Sequence, residues 1–350
     1  MSSNIDLSGW SPKYRLMREP GIRWPVFPAM LCALLGVCAD ACGADLKHMQ
    51  SDESTEIAYL VHRGTAGSLA TAALLTHLTE MPDASRGSGA AAPPDPSQLI
   101  ARAISMAPNR PELVWLQLRE CESRRCADEA RIAAHLKEID ADNGLAWLAD
   151  LNAAQGKSPE DITQAIEQIG GAQGARVYWN QLAVMMFDAL THHDRTKPPT
   201  AITQHADDRL MHVTGVLAAM DVPAFRPLAH ACRPDEFAAT GRRGACEKAM
   251  ARLEASDAVV THLVRLSVLE AWWPASTPEG AALRQERLQR RYLTVASNRA
   301  RDGRADSDAE TRVGAMRHLR NEEDVERAML TAFHEPLDRP ADWRSPDAAP

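Results

Sequence analysis

The residues best suited to chemistry lie together in the segment THHDRTKPPT (191–200), which contains His192, His193 and Asp194. Two imidazoles beside a carboxylate can transfer protons or ligate a metal ion near neutral pH. The composition predicts a loop, and adjacent residues on an extended chain point to opposite sides. A catalytic or metal site here would therefore need partners from elsewhere in the chain, and a solvated loop between helices is the simpler interpretation.

The sequence lacks the local motifs of the common enzyme classes. It contains no G-x-x-x-x-G-K-[ST], H-E-x-x-H, G-x-S-x-G, G-x-G-x-x-G or C-x-x-C motif. His334 and Glu335 are followed by Pro336, which would break the helix that a zinc protease needs. We therefore expect a protein without catalytic activity, cofactor or bound metal. The alternative is an enzyme of the cell envelope whose site is assembled from distant residues around His192 and His193.

Four cysteines form two locally spaced pairs, Cys121 with Cys126 and Cys232 with Cys246. An even number in neighbouring pairs favours disulfides in an oxidising compartment. Continuous helix would separate the first pair by roughly 8 Å, beyond disulfide reach, so a turn near residues 122–124 must intervene. The second pair encloses RPDEFAATGRRGA, a loop-like stretch, so each bridge would join a helix to its successor. Free buried thiols are the alternative, and neither spacing matches a common zinc site.

Seven arginines lie between residues 284 and 304, and helical spacing places Arg284, Arg287 and Arg291 near one face. Such a face could dock an anionic partner, for example lipid headgroups, a cell-wall polymer or an acidic protein. The alternative is a solvated face that pairs with acidic helices such as NEEDVE (321–326). Few aromatic residues accompany these arginines and the net charge is −8, so we expect no nucleic-acid partner.

The composition indicates which elements position these groups. Hydrophobic residues make up 45% and charged residues 25% of the chain, as in folded globular proteins. The chain is rich in alanine, and its aromatic content is only 5%, which favours helices over strands. No convincing run of alternating strands is present, and Ser256 or Asp257 can cap the apolar helix that follows them. The predicted fold class is all-α.

Three tryptophans, Trp115, Trp147 and Trp179, recur at intervals of about 32 residues. Their frames are similar (PELVWLQL, NGLAWLAD and ARVYWNQL), and each follows a helical segment and a turn rich in Pro, Asp, Asn or Gly. A fixed period just above 30 residues is typical of helical-hairpin repeats. We expect these side chains to fill the core between hairpins rather than to contact a ligand.

On these residues the chain resembles tetratricopeptide-repeat proteins of an exported bacterial type, over about 98–191 and best at IDADNGLAWLADLNAAQGK (139–157). The period is about 32 rather than about 34, and the family's Gly and Tyr positions after the Trp are not kept, so the repeats are degenerate. The resemblance implies a helix-hairpin solenoid whose concave surface binds a peptide or protein segment. A cytoplasmic regulatory repeat protein is the alternative.

The N-terminal segment has the pattern of a secretory signal. Residues 26–39 (VFPAMLCALLGVCA) are an apolar run of about 14 residues, short for a membrane helix, preceded by basic residues and followed by A-x-A-like cleavage sites. Met17 is an alternative start. We predict a periplasmic or secreted protein. The lipobox pattern is matched only loosely at Cys38 and Cys42, so an outer-membrane lipoprotein, held near the membrane, is the weaker alternative.

These observations divide the chain into six segments and predict an exported, non-catalytic scaffold. The segments are a signal (1–44), a helical pair broken near Gly64 (45–80), a Pro/Gly/Ala-rich linker (81–98), a repeat region (99–273), Arg-rich helices (274–335) and an extended tail (336–350). We expect Trp343 of the tail to pack back on the helices. The partner would be a protein or peptide.

Intact mass spectrometry of the protein purified from its source cells tests this prediction. We expect the loss of about 41–44 N-terminal residues, together with a deficit of four protons from two disulfides. An intact N-terminus with all four cysteines reduced would contradict export.

Overall fold

The computed structural model describes residues 54–79, 94–191, 205–301 and 307–344. Within these ranges the protein is 77% helix, with 16 α-helices and no strands, so the all-α prediction is confirmed. Two isolated bridges, Asn143 with Gly174 and Ala175 with Ser256, are the β-type pairings of this part of the chain. None of the helices in these ranges has the combined length and apolar character that a bilayer crossing requires.

Eight α-helices lie before residue 192. They are α1 (54–63), α2 (Ala66–Thr79), α3 (Pro96–Met106), α4 (Pro111–Arg124), α5 (Glu129–Ile139), α6 (Leu148–Ala154), α7 (Pro159–Gly171) and α8 (Trp179–Thr191), and a 3-10 turn, Gly144–Trp147, leads into α6. The predicted break between the first two helices falls at Gly64, whose φ of 66° is left-handed. Helix α3 begins inside the predicted linker, because Asp95 caps it and Pro96 starts its first turn.

Eight further α-helices complete the described chain. They are α9 (Ala206–Asp221), α10 (Arg226–Ala231), α11 (Pro234–Thr240), α12 (Arg243–Leu253), α13 (Val259–Trp272), α14 (Pro278–Arg301), α15 (Ser307–His318) and α16 (Glu322–Ala332). The predicted loop between Cys232 and Cys246 was wrong, since it contains α11. After α16, Trp343 packs edge-on against Tyr292 of α14 with ring centroids 5.6 Å apart.

Helices distant in sequence share one core. Helix α8 packs against α2, α9 and α15, and α7 packs against α12. One hydrophobic cluster extends from Ile57 to Met329. In a linear solenoid each repeat contacts only its neighbours. The predicted solenoid arrangement is therefore not confirmed.

The local order of helix, turn and tryptophan appears at all three positions. Trp115 lies in α4, Trp147 ends the turn before α6, and Trp179 begins α8. The first and third are buried, whereas Trp147 is half-buried beneath the ammonium group of Lys137, 4.1 Å from its ring centroid. Trp115 also contacts the ring of Tyr178 edge-on at 6.3 Å. All three side chains pack against other residues of the chain.

The first disulfide joins Cys121 to Cys126, with Cα atoms 5.0 Å apart. Helix α4 ends at Arg124, and Arg125 adopts a left-handed conformation with φ of 55°. This residue turns the chain so that Cys126 returns to Cys121, and its backbone N–H bonds to the last carbonyls of the helix. The required turn is present, one residue later than the sequence predicted.

The second disulfide joins Cys232, at the end of α10, to Cys246 in α12, with Cα atoms 5.6 Å apart. Both residues are fully buried. The indole Nε1 of Trp272 donates to the carbonyl of Cys232 at 2.7 Å, which attaches α13 to the same point. The bridge thus joins α10 to α12 around α11, and the hydrogen bond of Trp272 attaches α13 to the same point.

The start of α13 is capped from a distance. The N-cap residue is Ala258, which has no capping side chain, so the predicted cap at Ser256 or Asp257 was wrong. Instead the carboxylate of Glu322, at the start of α16, accepts from the backbone N–H of Val259 at 2.8 Å. The backbone N–H of Val259, which has no partner within its own helix, is thereby bound to a residue 63 positions later in the sequence.

The carboxylate of Asp257 binds a different segment. Its two oxygens accept from the backbone N–H groups of Val177 and Tyr178, both at 2.8 Å. Tyr178 has φ of 60°, a left-handed conformation that is unfavourable for a bulky residue. The backbone carbonyl of Asp257 also accepts from the N–H of Glu322 at 2.8 Å. One buried residue therefore connects the start of α8, the start of α13 and the start of α16.

Asn143 supplies a second anchor for the same segment. This fully buried side chain donates through Nδ2 to the carbonyl of Arg176 and to the hydroxyl of Tyr178, each at 2.9 Å. Its Oδ1 accepts from the N–H groups of Leu145 and Arg176. Asp140 binds both the hydroxyl of Tyr178 and the guanidinium of Arg176. The turn before Trp147 is thus tied to the turn before Trp179.

Several buried or half-buried carboxyl groups have raised pKa values. Burial raises the pKa of Asp257 to about 6 and that of Glu122 to about 7. Burial also raises the pKa values of Glu322 and Glu326, and the neighbouring charge of Glu322 raises that of Glu326 further. The guanidinium of Arg312, 4.0 Å from Glu326, opposes this shift but does not reverse it. The interior between α13, α15 and α16 therefore favours protonated carboxyl groups.

We expect Asp257→Ala to lower the free energy of unfolding by roughly 3 kcal/mol, because two buried N–H groups lose their acceptor. Urea denaturation followed by circular dichroism measures the change. The control is Asp235→Ala, whose side chain is 51% exposed and pairs at the surface with Arg233; we expect it to cost less than about 1 kcal/mol. Similar losses in both variants would contradict the role of Asp257.

Stability should fall as the pH rises above neutrality. The raised pKa values mean that the folded state binds protons more tightly than the unfolded chain, so this contribution is complete below about pH 4 and is lost as the pH rises through the folded values. Buried His212 and His262, whose pKa values burial lowers to about 4, act in the opposite sense only below about pH 6.5. Between pH 7 and 8.5 these two histidines stay neutral, so a change in stability over this range reports on the carboxyl groups.

We expect the melting temperature to fall by about 3 °C or more across that window. Glu326→Gln should reduce the fall, because the amide cannot ionise, whereas exposed Glu160→Gln should keep the wild-type dependence. Scanning calorimetry of the oxidised proteins measures the slopes. A wild-type melting temperature that does not fall, or equal slopes in the two variants, would show that Glu326 does not ionise in this range.

Candidate functional site

An open cleft of about 440 Å³ lies between the α1–α2 junction, the start of α4, α8 and α15. This volume is within the range of sites that bind small ligands. The junction is held by reciprocal bonds: the backbone N–H of Thr65 donates to Ser68 Oγ at 2.9 Å, and that of Ser68 donates to Thr65 Oγ1 at 3.2 Å. These bonds begin α2 and place Arg63 beside the cleft.

The floor of the cleft is apolar. Val184, Met185 and Ala189 of α8 line it together with Met316 of α15. Gly67 of α2 lies against Met185, and a Cβ at this position would be only 3.2 Å from Met185 Cγ. The unbranched methionines can adjust to the shape of a neighbour. The floor can therefore accept an aliphatic side chain.

The rim is charged. Arg110 Nε bonds to Glu112 Oε1 at 2.6 Å, and Arg317 Nη2 bonds to Asp188 Oδ1 at 2.5 Å. Arg63 Nη1 donates to the backbone carbonyl of Ala189 at 3.5 Å, the long limit of a hydrogen bond. Among the described residues, three guanidinium groups and two carboxylates line the cleft, so these side chains carry one excess positive charge.

The described polar groups of the cleft bond to one another or to the backbone. Both carboxylates of the lining form ion pairs with arginines. The hydroxyl of Thr65 donates to Ser68 Oγ at 2.9 Å, and the hydroxyl of Ser68 donates to the Thr65 carbonyl at 3.0 Å. Neither hydroxyl thus has a carboxylate or imidazole as its described partner. Across the described ranges, no group of three His, Cys, Asp or Glu residues could hold a metal ion.

The polar site that the sequence predicts in the loop after α8 lies outside the residues that the structure describes. His192, His193 and Asp194 lie outside the described residues, directly after the last residue of α8, Thr191. The predicted signal segment, 1–44, also lies outside them. Both assignments stay predictions from sequence.

The arginine face of α14 is largely engaged within the protein. Arg287 forms a bidentate pair with Glu270 of α13, at 2.8 and 2.7 Å. Arg284 donates to the backbone carbonyl of Ala275. Arg291 is half-buried, and burial together with Arg287 lowers its pKa. Arg287 therefore points toward α13, and a docking face formed by Arg284, Arg287 and Arg291 stays a prediction from sequence.

Arg290 of the same helix is also paired with acidic residues. Arg290 bonds to Glu323 of α16 and to Glu286 of its own helix. Glu286 also accepts from Arg265 of α13 at 2.9 Å. Glu323 belongs to the acidic segment 321–326, which the sequence suggested as a partner for these arginines. The network joins α13, α14 and α16.

Sequence reasoning did not identify the cleft. Its residues come from four separate parts of the chain, and none belongs to a recognisable motif. Helical periodicity assigns Met185 and Met316 to apolar faces, but it does not say that these faces meet. The pairing of Arg317 with Asp188 spans 129 residues and has no local signal.

Comparisons with known proteins do not identify a family for this chain. No family model, no curated protein and no solved structure matches this chain. The resemblance to tetratricopeptide-repeat proteins therefore stays a prediction from the tryptophan spacing.

Proposed function

We propose that the protein is an exported, non-catalytic interaction module that binds a short segment of a partner protein in the cleft between α1–α2, α4, α8 and α15. The observation that carries this proposal is the combination of an apolar floor with a charged rim. Such a site buries a side chain of the ligand while its rim fixes the ligand's orientation. The pairing of both rim carboxylates favours binding over acid–base catalysis.

The helical pattern supports an origin in hairpin repeats. Helix α3 packs against α4, and α5 packs against α6, as consecutive hairpins would. Trp115 lies in the second helix of the first unit, and Trp147 directly precedes the second helix of the other. We propose that residues 99–273 are degenerate tetratricopeptide-like repeats whose later helices pack on distant partners, which replaces an extended concave surface with a local cleft.

The cysteines support the proposed compartment. Both disulfides join cysteines that are close in sequence, and such bridges persist in oxidising environments. We propose that the protein acts outside the cytoplasm, in the periplasm or after secretion. The apolar segment 26–39 with its A-x-A-like sites would serve as the export signal.

Selection from a random peptide library displayed on phage, with the oxidised protein as target, tests the function. We expect recovered peptides to bind the wild type and to lose about tenfold or more in affinity with Gly67→Leu, whose side chain would fill the floor beside Met185. Fluorescence anisotropy with the synthetic peptides measures binding.

The matched control is Gly171→Leu, at an exposed position of α7 where a Cβ would meet nothing within 4 Å. This variant should bind as the wild type does. Recovery of no peptide, or equal binding by all three proteins, would contradict the proposal. Thermal melting of each variant checks that it is folded.

A further inference from the structure

The charge of the cleft differs from the charge of the whole chain. The chain carries a net charge of −8, whereas the charged side chains that line the cleft within the described ranges are Arg63, Arg110, Arg317, Glu112 and Asp188. Both carboxylates are already bound to arginines at 2.6 and 2.5 Å. The cleft is therefore a local positive site on an acidic protein.

Arg63 carries the excess charge. Among the described residues its contact is the Ala189 carbonyl at 3.5 Å, which occupies one of the five N–H donors of a guanidinium. Within the described part of the chain no carboxylate lies within ion-pair distance of it. A planar guanidinium with several donors left can bind a carboxylate in a bidentate manner.

The apolar floor lies beside this charge. Val184, Met185 and Met316 line the same cleft as Arg63, so one ligand can contact both. A carboxylate on Arg63 and an aliphatic side chain on the methionines would satisfy both parts of the surface. A basic ligand would meet the excess positive charge instead.

We infer that the occupant is an acidic peptide segment in which an Asp or Glu side chain lies next to an aliphatic residue. The carboxylate binds Arg63, and the aliphatic side chain packs on Met185 and Met316. The net negative charge of the rest of the chain repels such a segment elsewhere, which directs it to the cleft. This inference rests on the proposed function and names the ligand class of the same site.

The peptide library tests the proposed function and the acidic-ligand assignment separately. The library is displayed with its C-terminus fused to the coat protein, so no free C-terminal carboxylate is present. We expect enrichment of Asp or Glu adjacent to Leu, Ile, Met or Val. Recovery of no peptide would overturn the proposed function. Recovery of peptides that are basic, or that show no charge preference, would overturn only the assignment of an acidic ligand.

The role of Arg63 is tested with one recovered peptide, synthesised with an amidated C-terminus. We expect Arg63→Gln to weaken its binding about tenfold and Arg63→Lys to weaken it less, since the lysine keeps the charge. Binding to the wild type should also weaken between 0.15 and 0.5 M salt. Arg131→Gln is the matched control, because Arg131 lies on α5 with a 67% exposed side chain that pairs with Asp128.

Two results would overturn the inference. These are unchanged binding by a folded Arg63→Gln variant, and equal losses in Arg63→Gln and Arg131→Gln. If Arg63→Gln does not fold, two other measurements test the inference. These are the affinity of Arg63→Lys relative to the wild type, and the salt dependence of wild-type binding. An unchanged affinity in either measurement would overturn the inference.

Discussion

The carboxylate of Asp257 holds the backbone on which the helix packing depends. It accepts from two N–H groups about 80 residues earlier, where the left-handed Tyr178 directs the chain into α8. Helix α8 in turn packs against α2, α9 and α15. A carboxylate buried without such donors would be strongly destabilising, so this contact forms only when both segments are in place. The direction of the central helix is therefore a property of the assembled fold.

The disulfides and the buried polar groups act over different distances. The two bridges close loops with sequence separations of 5 and 14, so each constrains only its own neighbourhood. Asp257, Asn143 and Glu322 connect segments that lie 33 to 80 residues apart. The disulfides thus hold neighbouring segments together, whereas the buried hydrogen bonds connect helices that are distant in sequence. Because burial raises the pKa values of Asp257 and Glu322, we expect these contacts to depend on pH.

The cleft follows from the same packing. Helix α8 supplies both the floor, through Val184 and Met185, and one side of the rim, through Asp188. The α1–α2 junction reaches this helix closely because Gly67 has no side chain. The contacts that hold α8 in the core therefore also place a guanidinium beside adaptable apolar groups. Away from the cleft, ion pairs of Arg287 with Glu270 and of Arg290 with Glu323 join α14 to α13 and α16.

The sequence by itself determined the helical class, the cysteine pairs and the burial of Trp115, because composition, spacing and turn residues act over a few residues. It did not determine that α7 packs on α12, that Arg287 points inward to Glu270, or that Arg63 lies beside Met185. Periodicity states which face of a helix is apolar, but not which other face covers it. That choice depends on shape and on polar contacts between distant segments, and these exist only in the tertiary structure.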